Sequence, residues 1–177
     1  LETDGAVAAI VTSVEHARDL KQTPVVVHAC AHGGTRGWGR SLYWLNMPDD
    51  DFTTSGNREV ARELYGMAGI GPADIDVAQI YDHFTPMVIA QLEDYGFCAP
   101  GEGGPFVASG AIRHDGALPV NTDGGQLSAG YIWGMSHVRE AVEQLRGTAA
   151  NPVSDVNFAL VTGGPSSLPI SGLILGR

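Results

Sequence analysis

Hydrophobic and polar positions along this chain follow two periods, which separate predicted strands from predicted helices. Short apolar runs rich in β-branched residues, bounded by turn formers, predict buried strands. Apolar positions three and four residues apart predict helices with one buried face, as at Val138, Ala141, Val142 and Leu145. The predicted strands are 6–14, 25–32, 75–81, 118–120, 155–162 and 168–175, and the predicted helices are 15–21, 58–67, 85–95 and 134–146.

The order of these elements indicates the fold class. The chain reads βαβ, a long loop over 33–57, αβα, a second long loop over 96–115, and then βαββ. Strands that alternate with helices favour a mixed or mostly parallel sheet between helical layers. Long loops inside a compact domain are usually functional or lie at an interface, so we expect one of these roles for both.

Composition narrows the classes of function. A chain of 177 residues is long enough for one domain with a substantial core. The formal net charge of −10 disfavours nucleic-acid binding through a basic face. The sequence contains no apolar run of about 18 residues that would span a membrane, and no signal peptide is recognisable. Because the chain enters an apolar segment without an initiator methionine, we expect a fragment of a longer protein.

The cysteine content points to a reducing compartment. Cys30 and Cys98 are far apart, lie among apolar residues and belong to no Cys-x-x-Cys motif. We therefore expect buried free thiols of a cytoplasmic protein, with a disulfide or a nucleophilic cysteine as the alternatives. His28, Cys30 and His32 alternate along one predicted strand, but no third or fourth ligand accompanies them, so no metal site is predicted.

The stretch 121–137, Asn-Thr-Asp-Gly-Gly-Gln-Leu-Ser-Ala-Gly-Tyr-Ile-Trp-Gly-Met-Ser-His, has the form of a binding site. Its glycines allow backbone N–H groups to approach a ligand closely just before a helix begins. Gly147 stands where that helix should end. Within the stretch, Tyr131 fits either a reactive phenol or a packed side chain. Trp133 is expected in the core or at an interface, and His137 on the surface.

A second polar group, Tyr81-Asp82-His83-Phe84, stands where a predicted strand ends and a helix begins. In open α/β sheets, ligands gather at the carboxyl ends of strands. Two interpretations stay open on spacing alone. The residues form part of a site, or Asp82 merely caps the helix while Tyr81 packs and His83 is solvated.

Several short motifs together resemble the thiolase superfamily, in particular its sterol-carrier-protein type. They are 4–9 (DGAVAA), 81–84 (YDHF), 121–125 (NTDGG), 130–131 (GY) and 163–164 (GG). The resemblance spans the whole chain, but only the end of the N-terminal half and the C-terminal half of a full thiolase. It implies an α/β thiolase fold with a mixed five-stranded sheet layered with helices. The implied division is an N-terminal thiolase-like remnant at 1–33, a loop at 34–57 and a C-terminal thiolase-like domain at 58–177.

The departures from the thiolase pattern bear on the reaction. Tyr131 stands where thiolases carry a catalytic histidine, and Tyr81 where they carry asparagine or histidine. Val161 and Thr162 replace the cysteine that precedes the final glycine pair. Claisen chemistry needs a thiolate nucleophile and a base near neutrality, whereas a phenol titrates near 10. An ordinary thiolase is therefore not expected.

The tyrosine pair resembles instead the thiolase-like aldolases, or lipid-transfer proteins, of bacterial steroid side-chain degradation. That resemblance implies a retro-aldol lyase of sterol and cholesterol catabolism. It would cleave a 17-hydroxy steroid bearing a three-carbon acyl-CoA side chain to a 17-ketosteroid and propionyl-CoA. CoA would be part of the substrate, with no separate cofactor and no metal.

The same resemblance implies roles for single residues. Of Tyr81 and Tyr131, one would act as the base and the other would donate to the thioester enolate, in an order that the sequence leaves open. A phenol in that role needs a lowered pKa or a proton relay through a residue such as His83. Supporting or oxyanion groups would be Asn121 and the amides of Gly163 and Gly164, while Gly124, Gly125 and Gly130 shape the substrate turn.

The implied partners are a second copy of the chain and a small OB-fold protein, with or without a zinc ribbon, in contact with the two long loops. Neither nucleic acid nor membrane is expected. Two alternatives remain: an acetyl-CoA acyltransferase or thiolase with an upstream cysteine, and a non-catalytic acyl-CoA or lipid carrier. Phenols that face a polar pocket together favour catalysis, whereas phenols packed into apolar cores favour the carrier.

Overall fold

The computed structural model describes residues 3–33, 56–164 and 170–177. They form α1 (Val14–Arg18), β1 (Val26–Gly33), α2 (Arg58–Ala68), a 3₁₀ turn (Pro72–Asp74), β2 (Val77–Gln79), α3 (Thr85–Asp94), α4 (Gly103–Ala108), α5 (Gly125–Ser128), α6 (Met135–Arg146), β3 (Phe158–Gly163) and β4 (Ile170–Gly176). Most of the predicted loop 33–57, with its acidic run 49–51, lies outside the described residues.

The described strands form a four-stranded mixed sheet in the order β1–β4–β3–β2. β2 runs parallel to β3, whereas β4 is antiparallel to both β3 and β1. The predicted α/β class and mixed sheet are confirmed, but the expected count of five strands is not. Residues 118–120 contribute a single bridge, Val120 to Ala78, because Asn121 leaves the ladder with a φ of 50°.

The strand predicted over 6–14 is wrong. These residues form no strand, and α1 begins at Val14, where the Ser13 hydroxyl caps the helix by accepting from the His16 amide at 3.2 Å. Ile10 and Val11 are 92% and 85% exposed. A β-branched run becomes a strand only when a neighbouring strand binds its backbone groups. No described strand lies beside this run.

One apolar cluster covers each face of the sheet, so the fold has three layers. On one face α2 and α3 pack through Val60, Leu64 and Leu92 against Leu160 and Ile174. The cluster on the α6 face consists of Val77, Ala141, Leu145, Val156, Ala159, Val161 and Leu175. Successive residues of a strand point to opposite faces, which explains why neighbours in β3 belong to different clusters.

The predicted helices 58–67, 85–95 and 134–146 correspond to α2, α3 and α6. α6 ends at Gly147, whose φ of 68° is the left-handed conformation that glycine adopts without strain, so the predicted stop is confirmed. The predicted loop 96–115 instead contains a short helix, α4.

Both described cysteines are free thiols, but the expected burial is wrong for Cys30, which is exposed. Ala29, the preceding residue in β1, is 1% exposed and faces the α2 cluster. Alternation along the strand therefore turns Cys30 to the opposite face. Cys98 is half-buried.

Candidate active site

Tyr81 lies two residues beyond β2, with its backbone held by two buried polar side chains. Its amide donates to Thr162 Oγ1 at 2.9 Å, and its carbonyl accepts from Gln91 Nε2 at 2.8 Å. The Thr162 hydroxyl donates to Gln91 Oε1 at 2.6 Å, which closes a ring of hydrogen bonds. Tyr81 is thereby fixed at the carboxyl end of a parallel strand, where ligands gather in such sheets.

Tyr131 reaches Tyr81 from the loop between α5 and α6. The two hydroxyl oxygens are 3.0 Å apart, although the residues are 50 positions apart in sequence. The ring centroids are 6.3 Å apart at an interplanar angle of 75°. Gly134, with a φ of 80°, lies against the Tyr81 ring, and a methyl group there would be 3.0 Å from Cε2. The structure thus brings together the two phenols that the sequence singled out.

The environment of Tyr81 keeps its hydroxyl protonated. The side chain is 6% exposed. Burial, followed by the hydrogen bond with Tyr131, raises the pKa of Tyr81 above its ordinary value of 10.0. The condition of a lowered phenol pKa is therefore not met at Tyr81, which is a neutral phenol at physiological pH.

Asp82, the next residue, is 4% exposed and joins three segments. Its Oδ1 accepts from the Gln126 amide at 2.9 Å and its Oδ2 from the Leu127 amide at 3.3 Å. His137 Nε2 lies 3.2 Å from Oδ1. Burial acts to raise the pKa of Asp82, but the His137 imidazole and the two amides outweigh it and hold the pKa below 3.8. Asp82 is thus an ionised carboxylate, and it does not cap the helix that follows it.

His83 is half-buried with its ring centroid 5.3 Å from that of Tyr81. Burial lowers the pKa of His83 below 6.5, against the opposing effect of the nearby Asp82 charge. Its Nδ1 is shielded from solvent and has no hydrogen-bond partner within the described ranges. A neutral imidazole with an unpaired nitrogen beside a phenol can accept a proton.

The Asn121 side chain is engaged with the backbone of Ile80. Oδ1 accepts from the Ile80 amide at 2.7 Å, and Nδ2 donates to its carbonyl at 2.9 Å. Asn121 thereby ties the glycine-rich turn to the residue before Tyr81, which is a supporting contact. Gly163 and Gly164 directly follow Thr162, whose hydroxyl accepts from the Tyr81 amide.

The glycines of the turn differ in what surrounds them. Gly125, with a φ of 64°, is buried, and a methyl group there would lie 2.3 Å from Asp82 Oδ2. Gly124 is exposed and Gly130 half-buried, with φ values of 100° and 140°. All three positions therefore carry backbone conformations that other residues rarely adopt.

Sequence reasoning missed or misjudged several residues of the site. Gln91 gave no signal because an isolated polar residue in a helix is usually solvated, and Thr162 was noted only as a replacement for the thiolase cysteine. The expectation of a surface position for His137 is wrong, since it is 0% exposed. Of the two positions expected for Trp133, the core is wrong, since the residue is 77% exposed, with its ring centroid 5.9 Å from that of Tyr131. An interface position for Trp133 stays a prediction.

A cavity of about 410 Å³ is lined by neither phenol, but it is lined by Gly134, which lies against the Tyr81 ring, and by Trp133, whose ring is 5.9 Å from that of Tyr131. Its walls include Trp133, Met135, Val138, Thr162, Gly163 and Leu173, which make it mostly apolar. A cavity of similar size, about 430 Å³, lies at 109–117 and contains none of the site residues. The first cavity is therefore the one that adjoins neighbours of the two phenols, through Trp133 and Gly134.

The described part of the chain lacks two kinds of feature. No group of three or more His, Cys, Asp or Glu side chains there is placed to share a metal ion. No helix there is long and apolar enough to cross a bilayer.

Comparison with known proteins connects this geometry to a family. The family described as Thiolase C-terminal domain-like matches residues 43–174. The 17-hydroxy-3-oxo-4-pregnene-20-carboxyl-CoA lyase of Mycobacterium tuberculosis is 49% identical over 175 residues, which are 99% of this chain and 45% of that protein. The steroid side-chain-cleaving aldolase of Thermomonospora curvata is 43% identical over 175 residues, with coverages of 99% and 44%.

A solved structure agrees with these relatives. The Ltp2-ChsH2(DUF35) aldolase superposes with a TM-score of 0.85 at 41% identity, over 93% of this chain and 42% of that one. The thiolase fold and the resemblance to steroid side-chain-cleaving aldolases, both inferred from the motifs, are thereby confirmed. The chain spans less than half the length of the two curated relatives. The division into 1–33, 34–57 and 58–177 stays a prediction.

Proposed function

Because this chain belongs to the thiolase C-terminal domain-like family, we propose that it supplies the tyrosine pair of a carbon–carbon lyase acting on a steroid acyl-CoA. The substrate is a 17-hydroxy steroid with a three-carbon acyl-CoA side chain. The bond from C17 to the α-carbon of the thioester breaks, the hydroxyl proton passes to a base, and its oxygen becomes the 17-ketone. The α-carbon leaves as the enolate of propionyl-CoA and then takes up a proton.

The observation that carries the proposal is the 3.0 Å separation of the Tyr81 and Tyr131 hydroxyls. Tyr81 is the more buried phenol, and its raised pKa suits a group that keeps its proton and donates a hydrogen bond. Tyr131 is less buried and lies on the loop whose Trp133 and Gly134 line the cavity, so we assign it the abstraction of the substrate hydroxyl proton. A hydrogen bond from Tyr81 to the Tyr131 phenolate would stabilise that anion by about 1.5–3 kcal/mol.

The roles of the other site residues follow from the assignment of Tyr131 as base and Tyr81 as hydrogen-bond donor. His83 is the neutral imidazole through which the proton passes between the phenols and solvent. The amides of Gly163 and Gly164 stabilise the enolate oxygen. Asn121 supports Tyr81 through Ile80, while Gly124, Gly125 and Gly130 shape the substrate turn.

The contact between the phenols also supports catalysis over the alternatives. A carrier has no need of two hydroxyl groups hydrogen-bonded to each other. An acyltransferase of this fold would need an imidazole where Tyr131 stands. Both alternatives are outcomes of the experiment below.

We also propose the surroundings in which the reaction takes place. The solved Ltp2-ChsH2(DUF35) aldolase carries the names of two components, and we propose a comparable small OB-fold partner, with or without a zinc ribbon, for this protein. We further propose a homodimer, a cytoplasmic location, and CoA bound only as part of the substrate.

The test is an assay of the whole protein with its partner on the 17-hydroxy steroid acyl-CoA. We expect 17-ketosteroid and propionyl-CoA in equal amounts. Tyr131→Phe and Tyr81→Phe should each lower kcat by about 10²-fold or more, the typical contribution of a positioned acid or base. Tyr65→Phe is the matched control, since its hydroxyl donates to the Tyr95 carbonyl away from the site. The proposal is wrong if substrate is bound but not cleaved, if only thiolysis with free CoA occurs, or if both site variants match the control.

A further inference from the structure

We propose that Asp82 is a positioning residue that sets the distance between the two phenols. It does so by anchoring both ends of the Tyr131 loop to the residue next to Tyr81. The inference rests on the proposed function for its consequence in catalysis, but the geometric claim can be tested without any substrate.

The first anchor lies before Tyr131 in the chain. The Asp82 carboxylate accepts from the amides of Gln126 and Leu127, in α5. Gly125 allows this approach, because a side chain there would meet Asp82 Oδ2 at 2.3 Å and Asn121 Nδ2 at 2.9 Å. An ionised acceptor with two amide donors forms charge-assisted hydrogen bonds, about twice as strong as neutral ones.

The second anchor lies after Tyr131. His137, in the first turn of α6, is 0% exposed, and its Nε2 lies 3.2 Å from Asp82 Oδ1. The His137 amide donates to the Gly134 carbonyl at 3.1 Å, and Gly134 lies against the Tyr81 ring. This approach is an imidazole–carboxylate contact rather than a well-directed hydrogen bond, and it packs the same carboxylate against the point where the loop ends and α6 begins.

The loop that carries Tyr131 runs from position 127 to position 134, and the buried carboxylate of Asp82 contacts the chain at both of its ends. Tyr81 is covalently adjacent to that carboxylate, so the two phenols share one reference point. The Tyr131 carbonyl also accepts a hydrogen bond of 3.4 Å from the Thr3 amide, which is longer than the contacts made by the Asp82 carboxylate. A displacement of about 1 Å between reacting groups can cost about 10²-fold in rate.

The activity arm of the test compares two carboxylates with the same kind of bonding. Asp76 also accepts from two backbone amides, those of Asn157 and Phe158 at 2.7 and 2.9 Å, at the opposite end of β2. We expect Asp82→Asn to lower kcat by about 10²-fold, with KM changed by less than about threefold. Asp76→Asn should leave both parameters within about threefold of the parent.

The spectroscopic arm reads the phenol contact directly. The protein is labelled with ¹³Cζ-tyrosine, and the signals of the five tyrosines in this part of the chain are assigned by Tyr→Phe changes. In the parent, Tyr131→Phe should shift the Tyr81 signal, because the hydroxyl pair is lost. With Asp82→Asn already present, the same change should leave the Tyr81 signal where it is, since no pair remains to break. With Asp76→Asn present, the shift should persist.

Each outcome decides the inference. If Tyr131→Phe still shifts the Tyr81 signal fully in the presence of Asp82→Asn, the inference is overturned, whatever the activity. Should Asp82→Asn fail to fold, Gly125→Ala displaces the carboxylate without removing it and must abolish the same shift. If the parent protein does not cleave the C–C bond, the proposed function is wrong. The spectroscopic result then decides the role of Asp82 by itself.

Discussion

Thr162 and Gln91 are hydrogen-bonded to each other at 2.6 Å, and each holds one polar atom of the Tyr81 backbone. Both are almost fully buried, at 2% and 0% exposure. Buried polar groups are retained when every partner is satisfied, and such a ring fixes one geometry. The position of Tyr81 therefore depends on residues from β3 and α3 that carry no reactive group.

Thr162→Val should remove the acceptor of the Tyr81 amide while keeping the side-chain shape. A buried unpaired amide costs about 1–3 kcal/mol in unfolding free energy, which urea denaturation will measure. We also expect kcat to fall because the Tyr81 phenol loses its fixed position. Thr162→Ser keeps the hydroxyl and should retain most activity. Equal activity of the two variants would contradict the role given to this ring.

Gly134→Ala should reduce activity beyond its effect on stability. Its φ of 80° strains any side chain, and the new methyl would lie 3.0 Å from the Tyr81 ring. Gly147→Ala is the matched control: its φ is 68°, and among the described residues its methyl meets no heavy atom within 4 Å. Both variants should lose about 1–2 kcal/mol of unfolding free energy, but only Gly134→Ala should lose most of its turnover. If Gly134→Ala and Gly147→Ala have comparable turnover, the contact of the new methyl group with the Tyr81 ring does not affect catalysis.

His83 should make stability depend on pH in the mildly acidic range. Burial lowers the pKa of His83 in the folded state below the value of 6.5 that the unfolded chain would show. The unfolded state therefore binds the proton first, and stability falls as the pH drops through the window from 6.5 down to the folded pKa. His83→Gln should make the midpoint of urea unfolding less dependent on pH across this window. His114→Gln, at an exposed position, should leave the slope unchanged. A parent protein whose urea midpoint does not change with pH in this window would refute the prediction.

Leu64→Ala should be among the more destabilising changes in the α2 cluster. The side chain is 0% exposed and packs between α2 and the sheet. Removal of a buried leucine side chain costs about 2–5 kcal/mol through lost burial and the cavity left behind. Met67→Ala, on the same helix but 59% exposed, should change stability by about 0.5 kcal/mol or less. Thermal and urea unfolding of both variants will measure the difference.

Helices and helix ends were predictable from the sequence where residues close together in the chain determine them. The helices α2, α3 and α6 followed from apolar spacing, and the end of α6 followed from Gly147, because both signals act within a few residues. Tyr81 and Tyr131 were recognised through short motifs, since each stands where a related enzyme keeps another reactive group. The charge and composition likewise limited the classes of partner before any fold was known.

Tertiary structure decided what depends on partners distant in the chain. The apolar run 6–14 has the composition of a strand, but no neighbouring strand lies beside it among the described residues. Strand propensity alone is therefore not enough to make it a strand. Asp82 has the spacing of a helix cap, yet it binds the amides of α5 and contacts His137. The burial of His137 and the ring formed by Gln91 and Thr162 also arise only when α6, α3 and β3 meet. Hydrogen bonds between segments 40 or more residues apart leave no periodic trace in a sequence, because the partner of each polar group is chosen by the packing of the whole sheet.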